Sequence, residues 1–509
     1  MLVPNLPTER HDGPVDHNLS PTRDISISKL PVEILLEIFD FYRQSFEVER
    51  KLNYERDWNN KNGWFKLAHV CRNWRSVVLT FSSRLQLRLY FTTHTPTRAA
   101  ALTALSTLPI IINYPLVPWT VTLKNRLTST PGYPNRVCKI ALAVTHSGSY
   151  MISNVLDFTF PTLTSLELHH VELPPSYFPS TFLTTSLKCL RRLKIRDGTL
   201  ASLAPLLSAT TALVDLTLDV QTTDSTGSAV SFLSLLQCLP LLRHLDVSVA
   251  FHHVHPIHAI PESVSLAELT SLRFKGSKDL VEQLIPRLAI PSLQNLHVSL
   301  CSKFTSRVPH LSNLIHNAGI FFFAAQIMLS QSSFTLSLLT HPHLTHDAHF
   351  NIITHRPSSI AEVGSELSEM LATVEDVTVA FRYPAEDPTT IPVNLPPWCG
   401  FFEWLQNVKM LRLQHNLEIQ VADMLRQDDR QPTTNLFPSL EGIGVYKRHP
   451  DVPILESEGT SGLGPFEVLV SARQQAGRPV KVCWHRDQVL PTPFYRVRDW
   501  WNWYDVSAL

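Results

Sequence analysis

The residues of this chain that come nearest to a chemical site are its clustered histidines. His341, His343, His346 and His349 fall close together with Asp347 among them, and His252, His253 and His255 make a second group. Imidazole binds zinc well, so either group could in principle serve a metal-dependent hydrolase. Neither has the helical His-x-x-x-His spacing with a nearby acid, nor cysteines at ligand spacing, and a chain with 23 histidines must place some side by side. Other fragments of catalytic patterns are incomplete. His485-Arg486-Asp487 lacks the asparagine that a phosphoryl-transfer loop needs for its second metal, Thr492 standing there, and no glycine-rich loop precedes it. Gly276-Ser277-Lys278 lacks the upstream glycine of a phosphate cradle. Ser461 is not centred between glycines as a strained nucleophile requires. The expectation is a non-enzyme with no catalytic residue, no metal and no cofactor, and the histidine-based hydrolase is the least favoured alternative.

Composition narrows the classes further. The 44 basic and 44 acidic residues cancel, so no positive field exists to hold nucleic acid. Charged residues are only 17% and apolar ones 44%, which requires that most of the chain fold. At 509 residues it is too long for one core of ordinary size. Seven scattered cysteines, never as Cys-x-x-Cys, predict reduced and mostly buried thiols and a cytoplasmic or nuclear location. No signal peptide is read at the N-terminus, and Ile320 to Ala325 is too short an apolar run to span a bilayer, so no membrane partner is expected.

With catalysis set aside, the chemistry left to the sequence is protein docking, and the stretch from Leu30 to Val78 carries it. Pro31 suits the first position of a helix, and the residue before a proline, Leu30, is pushed to an extended conformation. Ile34, Leu35, Ile38, Phe39 and Tyr42 then recur at helical spacing as one apolar stripe, with Glu33 placed favourably in the first turn. Trp64, Leu67, Cys71, Trp74 and Val78 mark a second helix.

Leu30-Pro31, Glu33 to Phe39 and Val70-Cys71-Arg72-Asn73-Trp74-Arg75 together resemble an F-box, the helical module that docks on the Skp adaptor of cullin–RING ubiquitin ligases. The resemblance covers about a tenth of the chain, with both motifs in order. It implies that Leu30, Pro31, Ile34, Leu35, Ile38, Phe39, Val70, Cys71 and Trp74 form the adaptor-binding set. Two departures stand out. A charged insert separates the helices, here expected to be a surface loop, and the Leu-Trp pair that many members carry afterwards is replaced by Ser83-Arg84-Leu85-Gln86. Leu85-Gln86-Leu87-Arg88-Leu89 alternates strictly and reads as a first strand.

Beyond residue 100 a repeat takes over. Leu163-x-x-Leu166-x-Leu168, Leu190-x-x-Leu193-x-Ile195, Leu213-x-x-Leu216-x-Leu218, Leu242-x-x-Leu245-x-Val247, Leu269-x-x-Leu272-x-Phe274 and Leu293-x-x-Leu296-x-Val298 share one pattern. Their middle residues are 27, 23, 29, 27 and 24 apart, inside the leucine-rich-repeat range of about 20–29 with one strand per unit. The usual turn asparagine or cysteine is missing (Val171 and Gly198 stand there), so the resemblance is to degenerate leucine-rich repeats. Leu200 to Thr210 and Phe232 to Leu239 read as the helices between strands. The rhythm breaks from 300 to 370, where Phe334-Thr335-Leu336-Ser337-Leu338 supplies one strand, and resumes at Val374, Val408 and Leu440. Phe466 to Gln475 reads as a helix and Val480 to Trp484 as a last strand.

The expected organisation is a flexible tail over 1–24, an F-box-like helical domain over 25–90 with its insert at about 46–62, and an α/β leucine-rich-repeat-like solenoid over 91–490. A C-terminal piece, 491–509, is rich in aromatics and caps the array or anchors a partner. By resemblance to F-box proteins of the kind common in fungi, the chain would be a non-catalytic recognition subunit. It would bind a Skp-type adaptor, through it cullin, and an unknown target protein. The alternative is an F-box and repeat scaffold acting outside ubiquitination.

Overall fold

A computed structural model describes residues 30–52, 64–91, 108–114, 132–143, 155–169, 178–222, 229–251, 263–301, 308–329, 334–340, 347–354, 360–381, 399–414, 417–429, 436–447 and 464–486. The chain divides into two units, Met1–Ile110 and Ile111–Leu509. The two tails, His252 to His255 and His341 to His346 lie outside the described residues.

In the first unit α1 runs from Val32 to Leu52 and opens with Leu35 N–H donating to the Pro31 carbonyl at 3.1 Å. It continues through Glu47–Leu52, where a loop was expected. That stretch has neither proline nor glycine and is rich in Glu, Arg, Lys and Leu, so nothing local stops the helix. The single second helix expected around Trp64–Val78 is two, α2 (Phe65–Val70) and α3 (Arg72–Thr80). Cys71 between them is extended (φ −156°, ψ 174°), and its thiol caps α3 by accepting the Trp74 N–H at 3.4 Å. The Arg75 guanidinium closes the corner by donating to the Ala68 carbonyl at 2.9 Å. The expected strand over 85–89 is shorter and later. Residues 81–86 turn, Gln86 adopts φ 49°, and strand β1 spans Leu89–Phe91. Leu85, Leu87 and Leu89 are nevertheless all buried, so the alternation recorded which side chains go inward without requiring a ladder.

A strand, β2 (Ile110–Tyr114), falls at the division between the units. The strands that follow are β3 (Val137–Ala143), β4 (Ser165–His169), β5 (Arg192–Gly198), β6 (Asp215–Thr222), β7 (His244–Phe251), β8 (Val264–Ser265), β9 (Ser271–Gly276), β10 (Leu288–Ala289) and β11 (Asn295–Cys301). Then come β12 (Phe322–Leu329), β13 (Phe334–Thr340), β14 (Asp347–Thr354), β15 (Asp376–Phe381), β16 (Met410–Gln414), β17 (Gly442–Lys447) and β18 (Lys481–Arg486). From β3 onward they form one mostly parallel sheet ordered β3-β4-β5-β6-β7-β9-β11-β14-β13-β12-β15-β16-β17-β18, with β8 and β10 paired separately.

Register shows why the sequence repeats as it does. Leu166, Leu193, Leu216, Leu245, Leu272 and Leu296 lie opposite one another on successive strands, and after the break so do Val377, Leu411, Ile443 and Val482. Parallel strands in one register put every middle apolar residue on the same face, and all of these except the half-buried Val482 are buried. The apolar residue three positions earlier makes a recurring turn. Leu163, Leu190, Leu242, Leu269, Leu293, Val374 and Leu440 each donate their N–H to the carbonyl three residues before.

Helices cover the apolar face. They include α4 (Leu200–Ser208), α5 (Ala229–Gln237), α6 (Lys278–Leu284), α7 (Pro309–Asn317), α8 (Ile360–Glu366), α9 (Ser368–Leu371), α10 (Cys399–Phe402), α11 (Glu418–Asp429) and α12 (Glu467–Gln475). Leu203, Leu206 and Leu207 of α4 and Leu233 and Leu236 of α5 are buried, each side chain contributing about 1.5–3 kcal/mol. Successive units are tied at helix ends. The Glu282 carboxylate of α6 accepts the His310 and Leu311 N–H groups of the first turn of α7, both at 3.0 Å.

The break in rhythm is a meander. From β11 the chain crosses through α7 to β12, then doubles back through β13 to β14, which pairs parallel with β11, while β12 pairs parallel with β15. From β3 onward, β13 alone runs antiparallel to both of its neighbours. Its first five residues, Phe334 to Leu338, are all buried, so both of its faces are covered although the sequence there alternates apolar and polar. Among the described residues no helix is long and apolar enough to cross a membrane.

Candidate functional site

Two faces of α1 divide the apolar residues that the sequence grouped together. At 100° per residue, Leu35, Leu36 and Phe39 fall on one side, and Pro31, Ile34, Ile38 and Phe41 on another. Leu35 and Phe39 have no exposed surface, and Phe39 meets the Trp74 ring of α3 edge-on at 4.9 Å between centroids. The other side is open: Ile34 is 47% exposed, Ile38 40% and Phe41 76%, with Pro31 also exposed. Val70, the last residue of α2, is 57% exposed.

The nine residues expected to bind an adaptor therefore separate. Pro31, Ile34, Ile38 and Val70 present apolar surface, and Leu30 is half-buried. Leu35 and Phe39 point into the unit and hold α1 in place, a correction to their expected outward role. Trp74 is half-buried against Phe39, and Cys71, also half-buried, caps α3. Phe41 was missed. The helix is apolar at 34, 35, 36, 38, 39, 41 and 42, which accommodates two stripes, and only packing tells which one is free. Beside the open stripe, Arg84 pairs with Glu37 at 3.1 Å, both well exposed, a contact of small energetic weight.

The second unit offers a different surface, the sheet face opposite the helices. Its strands carry a lattice of charge. The Glu167 carboxylate takes Lys139 at 3.1 Å, Lys194 at 2.9 Å and His169 at 2.9 Å. Burial would raise this carboxyl, but the His169 and Lys194 hydrogen bonds and the two ammonium charges outweigh it and hold it well below the usual range. Arg273 pairs with Asp246 at 3.3 Å, and Arg192 with Asp215 at 3.0 Å. Farther along, Arg412 grips Asp376 with two nitrogens, at 2.7 and 2.9 Å, and its other terminal nitrogen reaches the Tyr446 hydroxyl at 3.3 Å. Between these charged stretches lies a row of uncharged polar residues in register on adjacent strands, namely Ser299, Asn351, Ser337, Gln326 and Thr378, of which Ser337, Gln326 and Thr378 are buried and so are not part of the open face.

Of the clustered histidines, His349 is described. It lies on β14 opposite His297 of β11, their rings 6.1 Å apart. Burial, aided by the Arg273 charge, lowers His297 to about 4, so it is neutral at physiological pH. Among the described residues no group of three His, Cys, Asp or Glu side chains could hold a metal. Cys71, Cys138, Cys189, Cys238 and Cys483 form no disulfide. None of the five is fully buried, against the expectation.

Compared with known proteins, the chain matches no family model and no curated protein.

Proposed function

We propose that this chain is a non-catalytic recognition subunit. It would dock a Skp-type adaptor, and through it cullin, by the open edge of α1, and would hold a target protein on the polar face of the sheet. The observation that carries the reading is the free apolar stripe Pro31–Ile34–Ile38–Phe41, at the place where the F-box resemblance puts its docking residues. Large apolar side chains left in water at consecutive positions of one helix face mark an interaction surface. The aligned strand registers support a leucine-rich-repeat-like solenoid as the target-binding part, with the meander as an insertion in it. The chemistry would be proximity, since raising the effective concentration of a target near a ligase requires no catalytic group here.

The test is co-purification of tagged full-length chain with a Skp-type adaptor and cullin. Wild type should bring down both. Ile34→Asp with Ile38→Asp should abolish adaptor capture while leaving the fold intact, because both side chains stand in solvent. Adaptor captured without cullin would point to a scaffold working outside ubiquitination, and adaptor capture unaffected by the two aspartates would refute docking through α1.

A further inference from the structure

Acids and bases are divided unevenly in the first unit. Residues 64–91, which build α2, α3, the turn after them and β1, contain Lys66, Arg72, Arg75, Arg84 and Arg88 but not one Asp or Glu. In a chain whose basic and acidic residues cancel, this is a local excess of positive charge, and all five cations are exposed. Three of them gather where the chain corners at Cys71. On α2, Lys66 and His69 stand beside Val70, the three falling within about 100° of arc. On α3, Arg72 and Arg75 lie within about 60° of each other. The bond from Arg75 to the Ala68 carbonyl, at 2.9 Å, fixes that guanidinium over the turn of α2 that ends in Val70. Arg84 is met by Glu37 of α1, but among the described residues neither Arg72 nor Arg75 meets a carboxylate.

Val70 is 57% exposed, so the corner has an apolar centre and a cationic rim. That is the anatomy of one half of an interface. The like charges of the rim repel one another in the unbound chain, and an anionic surface offsets them.

We propose that the α2–α3 corner receives a carboxylate-bearing segment of the partner protein, with Asp or Glu side chains against Lys66, Arg72 and Arg75 around an apolar pocket that takes Val70. A nucleic-acid backbone gives Val70 no place to go, and one valine adds too little apolar area to hold a lipid surface. A folded protein can supply both the pocket and its acidic rim. The assignment rests on the docking reading, because the partner is the Skp-type adaptor placed at Val70, and it adds the chemistry of the adaptor's facing segment. The two parts of the corner then act on different rates. Exposed ion pairs hold weakly but steer encounter, so the cations set how fast the partner arrives, and Val70 sets how long it stays.

The experiment is binding kinetics of purified Skp-type adaptor on immobilised full-length chain. Raising the salt from about 50 to about 300 mM should slow wild-type association roughly tenfold. Lys66→Glu with Arg72→Glu should slow association about tenfold at the lower salt, remove most of the salt dependence, and leave dissociation within about twofold. Val70→Ala should do the reverse, speeding dissociation about fivefold with association unchanged. Circular dichroism of each variant should match wild type, since all three side chains are exposed. Adaptor association indifferent to the two glutamates, or accelerated by them, overturns the acidic-partner assignment and leaves the docking reading standing. A wild-type chain that binds no adaptor removes the docking reading and the assignment with it. Wild-type chain captured by phosphatidylserine vesicles or by a DNA duplex and released by the two glutamates, with adaptor association unaffected, would give the corner to a phosphate surface instead.

Discussion

Phe39 and Phe41 sit two residues apart on one helix and should behave oppositely when cut to alanine. Phe39 is fully buried and meets Trp74 edge-on at 4.9 Å with the rings inclined by 66°. Removing it costs the transfer energy and the cavity left between α1 and α3, about 3–5 kcal/mol, which includes an aromatic pair worth about 0.5–1.5 kcal/mol. Phe41 is 76% exposed, so Phe41→Ala should stay within about 0.5 kcal/mol, and alanine's better helix propensity favours the variant. The difference is read by hydrogen exchange of the full-length chain, followed by mass spectrometry of peptides covering α1 and α3. Phe39→Ala should speed exchange in those peptides by at least about a hundredfold, while Phe41→Ala leaves them unchanged. Equal acceleration by the two variants would show that the open face of α1 is not open, and with it the docking edge would fall.

Three further outcomes follow from the second unit. Arg412→Ala strands the nearly buried Asp376 carboxylate and should cost roughly 3 kcal/mol in urea unfolding, whereas changing both residues to leucine should cost less; equal losses would deny that the pair is coupled. His297 has a folded pKa of about 4, below the ordinary 6.5, so the unfolded chain takes up its proton first. Its contribution to stability is complete above pH 6.5 and is lost as pH falls toward 4, and His297→Gln should flatten the stability profile across that window; an unchanged slope there would place the imidazole in water. Glu282→Ala leaves the first N–H groups of α7 without their carboxylate and should cost about 1 kcal/mol, seen as faster exchange at His310 and Leu311.

The periodic part of the fold was readable because parallel strands in a common register repeat one physical demand at one spacing. Every six-residue frame such as Leu242-x-x-Leu245-x-Val247 needs an apolar residue at the approach turn and two facing the helices, so the demand is written locally. The helices at Leu200–Ser208 and Glu467–Gln475 were legible for the same reason. The meander was not. β12, β13 and β14 enter the sheet in reverse order, which leaves no local trace, although the alternation of Phe334-Thr335-Leu336-Ser337-Leu338 marks β13 itself as a strand.

On α1 the sequence alone determined that a helix starts at Pro31 and is apolar most of the way round, because proline chemistry and residue type act within a few positions. Which of two overlapping stripes is spent on the unit's own core and which stays in water was decided by α3, whose Trp74 takes Phe39 and leaves Ile34, Ile38 and Phe41 outside. Burial is a property of the neighbour as much as of the residue, and the neighbour is set by tertiary packing.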